Sequence, residues 1–260
     1  MSDTRPGWRE FRKRLNGREH VLGTFVKFPT SHAIEILGGI GFDFVIIDQE
    51  HGPLDRSAVD LMVLAARASN VAGIVRVGDP TDANILSVLD CGATGVLVPH
   101  VSTAAKARAI VAACRYKGGH RGFANTTRAG GYGGVPYAAH MVAQDSEIAV
   151  VAMIEDVEAL DEIDDIVRVE GLDAIFIGRG DLTAALGAPS MTSPETHEVV
   201  APIMAAAKAA GLPIVMLCPD RVDAEKMAAL GASAFLIASD HGFLKSAASR
   251  ALKDFAGPIG

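Results

Sequence analysis

The chain has 260 residues, a net charge of -7 and a hydrophobic content of 49%, which is the balance of a globular protein and excludes extensive disorder. Its apolar runs, such as 148–154, are far shorter than the roughly 20 residues that a membrane-spanning helix requires, so no membrane partner is expected. The acidic balance, the aromatic content of 5% and the lack of a basic stripe speak against nucleic acid as a partner.

The N-terminus and the cysteines indicate the compartment. The first 20 residues are charged throughout and have no apolar core, so they do not resemble a secretory signal. Cys91, Cys114 and Cys218 are scattered and form no C-x-x-C pair. This spacing is typical of free thiols in a reducing compartment, not of a disulfide framework or a zinc site. The sequence therefore predicts a cytoplasmic protein.

A helix, a glycine and a short apolar strand recur along the chain. The glycine and the strand are read in five segments: GFDFVIID from Gly41, GATGVLVP from Gly92, GLDAIFIG from Gly171, GLPIVML from Gly211 and GASAFLIA from Gly231. Each glycine stands where a helix ends in the left-handed conformation. The strands are almost wholly apolar, which indicates a parallel sheet that is covered by helices on both faces.

The elements alternate along the whole chain. In chain order, the predicted strands are 21–26, 43–48, 73–77, 94–99, 148–154, 173–178, 213–217 and 233–238. The predicted helices are 31–40, 55–68, 81–91, 103–115, 156–169, 194–210 and 221–230, with a last one at about 241–256. This alternation predicts an α/β fold of the TIM-barrel type, (β/α)8, as one domain over residues 1–260. A doubly wound open sheet is less favoured, because no G-x-G-x-x-G follows the first strand.

One long stretch, 116–147, interrupts the alternation. It holds seven glycines between Gly118 and Gly134. A loop of this length in a compact domain is usually functional, so the stretch is expected to be a lid over the site or an arm used in assembly.

Charged residues follow several of the predicted strands, and the active site of such a barrel lies at the carboxyl ends of the strands. The groups in question are Asp48-Gln49-Glu50-His51 after the second strand, Arg76 in the third, Glu155 after the fifth and Gly178-Arg179-Gly180-Asp181 after the sixth. We therefore expect these side chains to meet at one mouth of the barrel.

Glu155 and Asp181 would stand at neighbouring strand ends, where two carboxylates can share a cation. Ligation by carboxylates favours hard or borderline ions such as Mg²⁺ or Mn²⁺. The alternative is that each carboxylate caps the helix that follows it.

Asp48 and His51 also have two interpretations. The aspartate can orient the ring as a proton-abstracting base, or the histidine is simply satisfied by a backbone carbonyl.

Arg76 lies in an apolar strand, and a buried guanidinium is costly unless it is paired. It is either a structural ion pair or an anchor for a carboxylate or an enolate oxygen. The backbone amides of Gly180 and Asp181 open a predicted helix and can bind an anion. Lys27 ends the first strand and raises the alternative of a Schiff base, although a solvated rim lysine is favoured.

Seven segments resemble, in order, signatures of the HpcH/HpaI family: GTFVKFP, GFDFVIIDQEHGP, IVRVGDP, LDCGATGVLVPHV, RYKGGHRG, VAMIEDVEAL and VEGLDAIFIGRGDLTAALG. The resemblance covers the chain from about Gly23 to Ala238, and the D-x-E-H and I-G-x-x-D-L stretches are the specific parts. The resemblance implies a class II, metal-dependent pyruvate aldolase. Such an enzyme is a carbon–carbon lyase that reversibly cleaves a 4-hydroxy-2-oxo acid to pyruvate, or a close 2-oxo acid, and an aldehyde.

The resemblance also implies roles for single residues. Glu155 and Asp181 resemble the metal-binding pair, which implies a divalent cation, Mg²⁺ or Mn²⁺, with Co²⁺ as a third candidate. Asp48 with His51 resembles a base dyad that acts through a water on the cation. Arg76 resembles the arginine that holds the pyruvate oxygen and stabilises the enolate.

Further implied features concern the pocket and the assembly. Phe25 resembles an aromatic residue that lines the pocket, and Asp90 resembles an aspartate that completes the site of a neighbouring subunit. The family is typically a hexamer, a trimer of dimers that exchange a C-terminal helix, and the helix after the eighth strand would do so here.

Two positions depart from the family pattern. Met153 stands where some relatives have glutamine, and Arg179 belongs to a Gly-Arg-Gly-Asp stretch that replaces the commoner Gly-Pro-Ala-Asp. Arg179 would suit an acidic or hydroxylated acceptor.

Two other functions stay open. A citramalyl- or malyl-CoA-type lyase ranks lower because the chain shows no basic patch for coenzyme A. A non-catalytic barrel that binds a keto acid ranks lower because mere binding has no use for a base.

Overall fold

A closed barrel of parallel strands forms the centre of the computed structural model, which describes residues 6–257. Its strands are β1 (Val21–Val26), β2 (Phe44–Asp48), β3 (Ala72–Arg76), β4 (Gly95–Val98), β5 (Ala149–Ile154), β6 (Ala174–Ile177), β7 (Ile214–Cys218) and β8 (Ala234–Ser239). Each strand pairs with the next one, and β8 closes the barrel against β1. The predicted (β/α)8 barrel is confirmed, and each predicted strand overlaps an observed one.

Helices surround the barrel in the described part of the chain. They are α1 (Phe11–Asn16), α2 (Ser31–Ile40), α3 (Arg56–Ala68), α4 (Asp82–Asp90), α5 (Ala104–Cys114), α6 (Tyr137–Glu147), α7 (Ile163–Ile166), α8 (Arg179–Leu186), α9 (Pro194–Ala210), α10 (Arg221–Leu230) and α11 (Asp240–Asp254). Short 3-10 helices lie at Trp8–Glu10, Arg128–Gly133 and Val157–Glu162. No helix within residues 6–257 is both long enough and apolar enough to cross a membrane.

The strands are apolar on both faces because both faces are buried. Phe44 and Ile46 belong to the core inside the barrel, whereas Val45 and Ile47 between them in sequence belong to the core under the helices. Full burial of one such side chain contributes roughly 1.5–3 kcal/mol, so the two layers together hold the barrel.

The amino-terminal end of the barrel is closed by α1. Phe11 and Leu15 of α1 are buried in the core of the barrel interior, and the Phe11 ring lies 5.1 Å from the Phe44 ring. Gly23 leaves room for this packing, since a Cβ there would lie 2.5 Å from the ring of Phe44. The closed end leaves the carboxyl ends of the strands as the accessible mouth.

Two predicted segments differ from the structure. The stretch 116–147 ends in a helix, α6, because its glycines stop at Gly134 and Pro136 begins a regular segment. The predicted helix 156–169 is instead a 3-10 helix followed by the short α7. Glu162, at the junction, accepts a hydrogen bond from the backbone N–H of Ala104 at 2.9 Å. This tertiary contact at the start of α5 is not visible in the periodicity of the sequence.

Candidate active site

A cavity of about 350 Å³ opens at the carboxyl end of the barrel. Several predicted site residues line it together: Phe25, His51, Arg76, Gly180 and Asp181. They come from four distant parts of the sequence. Parallel strands place their carboxyl ends at the same rim, and this brings the residues together.

The Asp48 carboxylate and the Arg76 guanidinium form a buried two-point ion pair at this mouth. Asp48 and Arg76 are partners in the register between β2 and β3, so the two side chains stand beside each other. Nε of Arg76 donates to Oδ1 of Asp48 at 2.9 Å, and Nη2 donates to Oδ2 at 2.7 Å. The two hydrogen bonds offset the free-energy cost of burying the guanidinium charge, and they fix the orientation of Arg76.

Asp48 is held in its ionised form. Burial opposes its ionisation, but hydrogen bonds and charge from Arg76 outweigh burial and lower the pKa of the carboxyl. The backbone N–H groups of Glu50 and His51 also donate to Oδ1, at 3.2 and 3.1 Å. Nζ of Lys27 lies 3.3 Å from Oδ2. Asp48 is thus the anion that orders the surrounding cations and the turn after β2.

The His51 side chain is 57% exposed at the mouth, and its contacts differ from the predicted dyad. Asp48 accepts a hydrogen bond from the backbone N–H of His51, not from the ring. The reason is local, because an aspartate at a strand end readily accepts from backbone groups two and three residues later. Nε2 of His51 lies 3.9 Å from Oε2 of Glu50. The catalytic roles of Asp48 and His51 stay predictions.

Glu155 and Asp181 interact at the mouth, as expected from their places after β5 and β6. Burial raises the pKa of Glu155 to about 7, and the like charge of Asp181 and a hydrogen bond from the protonated Glu155 to Asp181 add to this rise. The backbone N–H of His100 donates to Oε1 of Glu155 at 2.8 Å and opposes the rise. A buried carboxylate beside a second, exposed one of the same charge is typical of a position that takes a cation.

The alternative of helix capping does not account for this pair. The N-cap of α8 is Gly178, and Asp181 lies inside the first turn. Glu155 accepts from the backbone after β4, in a different βα unit. Gly178 also makes room for the pair, since a Cβ there would lie 2.6 Å from Cβ of Glu155.

The donor set fits a divalent cation. Glu50, His100 and Glu155 each offer a ligand atom, and these three atoms lie within 4.8 Å of one another. Oε2 of Glu50 is buried and has no hydrogen-bond partner, although Nη1 of Arg76 lies 2.9 Å away as an ion pair. With Asp181 beside Glu155, these residues provide the carboxylate and imidazole groups that Mg²⁺, Mn²⁺ or related ions bind.

Phe25 and Met153 form the apolar part of the pocket around Arg76. The Arg76 guanidinium lies 5.0 Å from the centre of the Phe25 ring, and the ring packs edge-on against Phe176. Sδ of Met153 lies 3.9 Å from Nη1 of Arg76. The guanidinium therefore has an apolar wall beside its charged partners, which strengthens its interaction with any anion that enters.

Arg179 lines the same cavity, but its charge is already paired. Its guanidinium donates to both carboxylate oxygens of Asp223, in α10, and to the carbonyl oxygen of Leu217. Only Nε, which is buried, lacks a partner. The suggestion that Arg179 attracts an acidic acceptor thus loses most of its support, because Asp223 neutralises the cation.

Asp90 is the one predicted site residue that lies away from the mouth. It ends α4, and a helix that follows a strand runs back toward the amino-terminal end of the barrel. Its carboxylate lies 3.6 Å from Nη2 of Arg121. Burial raises the pKa of Asp90, and the charge of Arg121 opposes this. Asp90 does not reach the cavity of its own chain. A role for Asp90 in an active site would therefore require the site of a neighbouring subunit.

The expected group after the second strand includes Glu50, whereas His100 is a member of the site that was not predicted. Three carboxylates surround His100: those of Glu50, Glu155 and Asp156. The available signal was its position directly after β4, the same signal that pointed to Glu155.

The comparison with protein families supports the same assignment. The sequence model of the HpcH/HpaI aldolase/citrate lyase family matches residues 22–247, which is most of the chain. The protein belongs to the HpcH/HpaI family. The resemblance seen in the sequence is therefore confirmed, and so is the prediction of a carbon–carbon lyase.

Individual relatives of this HpcH/HpaI protein agree. It is 36% identical over 225 residues to a pyruvate aldolase from Rhizobium etli, covering 86% of this chain and 88% of the relative. It is 33% identical over 243 residues to a 5-keto-4-deoxy-D-glucarate aldolase from Citrobacter koseri, covering 93% and 94%.

Solved structures show the same barrel. An HpcH/HpaI aldolase/citrate lyase family protein from Burkholderia cenocepacia superposes with a TM-score of 0.90 at 26% identity, covering 96% of this chain and all of that chain. The citrate synthase SbnG superposes with a TM-score of 0.85 at 33% identity, covering 94% of this chain and 96% of that chain.

Proposed function

We propose that this protein is a divalent-metal-dependent aldolase that reversibly cleaves a 4-hydroxy-2-oxo acid into pyruvate, or a close 2-oxo acid, and an aldehyde. The observation that carries the proposal is that Arg76 and Asp181 line one cavity, with Asp48 paired to Arg76 and Glu155 interacting with Asp181. The similarity to a pyruvate aldolase and to a keto-deoxy-glucarate aldolase supports the substrate class.

Arg76 binds and orients the 2-oxo acid. Two of its nitrogens are committed to Asp48, so the guanidinium is held still, while Nη1 stands beside Met153 and Glu50 at the cavity. A held cation favours the negative charge that develops on the substrate oxygen as the enolate forms, without reorganisation during the reaction. Glu155 and Asp181 would hold the divalent cation, which would supply Lewis-acid stabilisation of the same charge when bound.

His51 moves the proton. Its exposed ring lines the cavity and lies near Glu50, so the ring nitrogen can accept the proton that leaves the methyl group of pyruvate and return it in the reverse direction. The backbone bond to Asp48 holds the turn that carries His51. Phe25 and Met153 exclude water from one side, and Gly180 leaves the start of α8 open toward the cavity.

The experiment separates metal chemistry from Schiff-base chemistry. The purified protein is offered a panel of 4-hydroxy-2-oxo acids with Mg²⁺, Mn²⁺ or Co²⁺, and pyruvate release is measured. We expect cleavage that EDTA abolishes reversibly. Cleavage that ignores EDTA and leaves Lys27 covalently trapped by borohydride would contradict the proposal.

A second candidate is a lyase or synthase of the citrate or acyl-CoA type. The similarity to the citrate synthase SbnG favours it. The two candidates are separated by the same panel extended with malyl- and citramalyl-CoA, because only the second candidate releases an acyl-CoA from these substrates.

We also propose a cytoplasmic homo-hexamer in which α11 is exchanged between subunits, with residues 1–260 as one domain. Leu244, Leu252 and Phe255 lie at helical spacing on α11 and are exposed. An apolar groove of about 460 Å³ beside β8, lined in part by Phe235 and Ile237, is open in the single chain. The exposed apolar stripe of one copy and the open apolar groove of a second copy are suited to pack against each other.

Within such an assembly, Asp90 would be placed to complete a neighbour's site. This role rests on the family resemblance and on the position of Asp90 outside its own cavity. Residues 1–5 and 258–260 lie outside the described part of the chain.

A further inference from the structure

Lys27 lies at the mouth of the barrel with its charge only partly used. It follows β1 and lines the cavity, and its side chain is 25% exposed. Nζ lies 3.3 Å from Oδ2 of Asp48. An ammonium group carries three donors, and a single carboxylate oxygen does not take all of them. Lys27 therefore keeps donors for a molecule that enters the cavity.

Asp48 does not hold Lys27 firmly, because other partners already occupy its carboxylate. Nη2 of Arg76 donates to the same oxygen, Oδ2, at 2.7 Å, and Nε donates to Oδ1 at 2.9 Å. Oδ1 also accepts from two backbone N–H groups of the turn after β2. An ionised carboxylate has about four acceptor sites, so Arg76 and the turn use those of Asp48. Lys27 is thus a second cation beside an anion that is already hydrogen-bonded.

The backbone at Lys27 is held from another direction. Its N–H donates to the carboxylate oxygens of Asp240 at 3.1 and 3.0 Å, and the N–H of Phe28 donates to Oδ2 of Asp240 at 2.8 Å. Asp240 is buried at the start of α11. The main chain is therefore fixed, while the flexible stem of the lysine lets its ammonium group turn into the cavity.

The other basic side chains of the cavity have different commitments. Arg179 is buried, and its guanidinium donates to both carboxylate oxygens of Asp223. Arg76 is held in its two-point ion pair, and the proposed function assigns it to the 2-oxo acid. His51 is the proposed proton acceptor. Among the cavity-lining residues of the described chain, Lys27 is the remaining basic side chain.

Lys27 lies across the mouth from the proposed metal residues. Those residues follow β5 and β6, whereas Lys27 follows β1, and in a closed barrel of eight strands β1 stands opposite β5. Leu217, Ser239 and Lys27 line the cavity at the ends of β7, β8 and β1. A 2-oxo acid whose reacting end lies near Arg76 and Asp181 therefore has its far end toward Lys27.

We propose that Lys27 binds an acidic group at the far end of the substrate, so that the aldehyde released by this chain carries a carboxylate. The inference rests on the proposed aldolase function and deepens it, since it names the substrate class as 4-hydroxy-2-oxo acids with a second carboxylate. A hydrogen bond between an ammonium and a carboxylate is stronger than one between neutral groups, and its loss costs about tenfold or more in affinity.

The test runs the reaction in the direction of condensation, with saturating pyruvate and Mn²⁺. Succinic semialdehyde, which carries a carboxylate, is compared with butanal, an uncharged aldehyde of equal carbon number, and kcat/KM is measured for each. Glyoxylate and acetaldehyde repeat the comparison at the shortest chain length. We expect Lys27→Met to lower the ratio of charged to uncharged aldehyde about tenfold or more at one or both chain lengths.

Two further variants serve as controls for the charge and for the substitution. Lys27→Arg keeps the positive charge and should retain most of the wild-type ratio. Lys226→Met removes an exposed lysine of α10 that does not line the cavity, and it should retain the whole of the ratio.

An unchanged ratio in Lys27→Met at both chain lengths would overturn the inference. If both kcat/KM values then fall by the same factor, Lys27 acts only through Asp48, and if neither falls, it is a solvated residue of the rim. Exchange of the pyruvate methyl protons with D₂O needs no aldehyde and tests the aldolase function separately. A wild type that exchanges these protons keeps that function even when the inference about Lys27 fails. A wild type that neither exchanges nor condenses with Mg²⁺, Mn²⁺ or Co²⁺ loses both.

Discussion

At the scale of single residues, Asp48 organises the site through several contacts at once. It is fully buried, it pairs with Arg76 at two points, and it accepts two backbone hydrogen bonds from the turn after β2. One anion thus fixes both the Arg76 guanidinium and the turn that carries His51. Removal of such an anion would take two hydrogen bonds from a buried guanidinium, which is among the costly single changes in a protein.

His51 supplies the first prediction. His51→Ala removes the proton acceptor but leaves Glu155 and Asp181 in place. We expect turnover in pyruvate release to fall by about 10²- to 10⁴-fold, which is the usual contribution of a positioned general base. Mn²⁺ affinity, measured by calorimetry on the same preparation, should stay close to that of the wild type. An equal loss of metal affinity would count against the assignment.

Glu155 supplies the second prediction. Without a cation, the carboxylates of Glu155 and Asp181 repel, and burial raises the pKa of Glu155 to about 7. Glu155→Gln removes this repulsion, so the metal-free variant should melt no lower than the metal-free wild type. The rise in melting temperature that Mn²⁺ gives the wild type should be lost, because one ligand is gone.

The control for this variant is Asp164→Asn, an exposed acid far from the cavity in α7. It should retain the full stabilisation by Mn²⁺. A Glu155→Gln protein that is still stabilised by Mn²⁺ as strongly as the wild type would remove Glu155 from the metal site.

Much of the site could be predicted from the residues at strand ends. The residues that could not be predicted in this way depend on contacts between distant parts of the chain. Asp48, Arg76 and Glu155 follow apolar strands, so the position alone identifies them. The expected contact between Asp48 and the His51 ring is replaced by a hydrogen bond from the backbone N–H of His51. The spacing of the two residues does not determine which of these two groups bonds to the carboxylate. His100 was missed, because its acidic neighbours come from other βα units.

At the scale of elements, the ion pair between Arg179 and Asp223 joins α8 to α10 behind the cavity. Both side chains are buried, and Arg179 starts the helix that also carries Asp181. The pair therefore positions α8 at the mouth as well as stabilising the barrel.

This pair gives the third prediction. Asp223→Asn should lower the free energy of unfolding by about 3 kcal/mol or more, because it leaves a buried guanidinium without its counter-charge. Asp164→Asn, which removes an exposed ion pair with Arg168, should change it by less than about 1 kcal/mol. Urea denaturation at neutral pH measures both.

The same pair has a pH dependence with a definite sign. Burial opposes ionisation of Asp223, but hydrogen bonds and charge from Arg179 outweigh it and lower the folded pKa below the ordinary value of 3.8. The stabilisation is therefore present above that value and is lost as the pH falls through the lowered pKa. The difference between the wild type and Asp223→Asn should shrink below about pH 4. A difference that grows on acidification would contradict the ion pair.

The elements themselves were largely predictable, since apolar strands and helix-ending glycines are local signals. α6 was not predicted, because its sequence YAAHMVAQDSE follows a glycine-rich stretch and its two large aliphatic residues, Met141 and Val142, are adjacent and show no helical period. The break between the 3-10 helix Val157–Glu162 and α7 depends on Glu162 bonding to α5, which is a tertiary effect.

At the scale of the whole molecule, α11 is one of several helices with exposed large apolar side chains within residues 6–257, and it is the helix that follows the last strand of the barrel. It is anchored at its start, where Asp240 accepts hydrogen bonds from the backbone N–H groups of Lys27 and Phe28. Beyond that point the helix exposes its apolar stripe. The anchor lies next to the cavity, since Lys27 and Ser239 both line it.

The fourth prediction concerns this assembly. Leu252→Asp places a charge on the stripe and should reduce the hexamer to smaller species, whereas Ser246→Asp, on the opposite side of α11, should leave it intact. Light scattering coupled to size-exclusion chromatography gives the masses. A monomeric wild type, or a Leu252→Asp variant of unchanged mass, would contradict the exchange of α11.

The central claim is that a cation held at Glu155 allows the chain to remove a methyl proton from pyruvate. The most direct measurement is exchange of the pyruvate methyl protons with D₂O, followed by nuclear magnetic resonance. We predict exchange with Mn²⁺ or Co²⁺, none after EDTA, and its return when the ion is restored. Exchange that continues at full rate in EDTA, or that is absent with every divalent ion tried, would contradict the account.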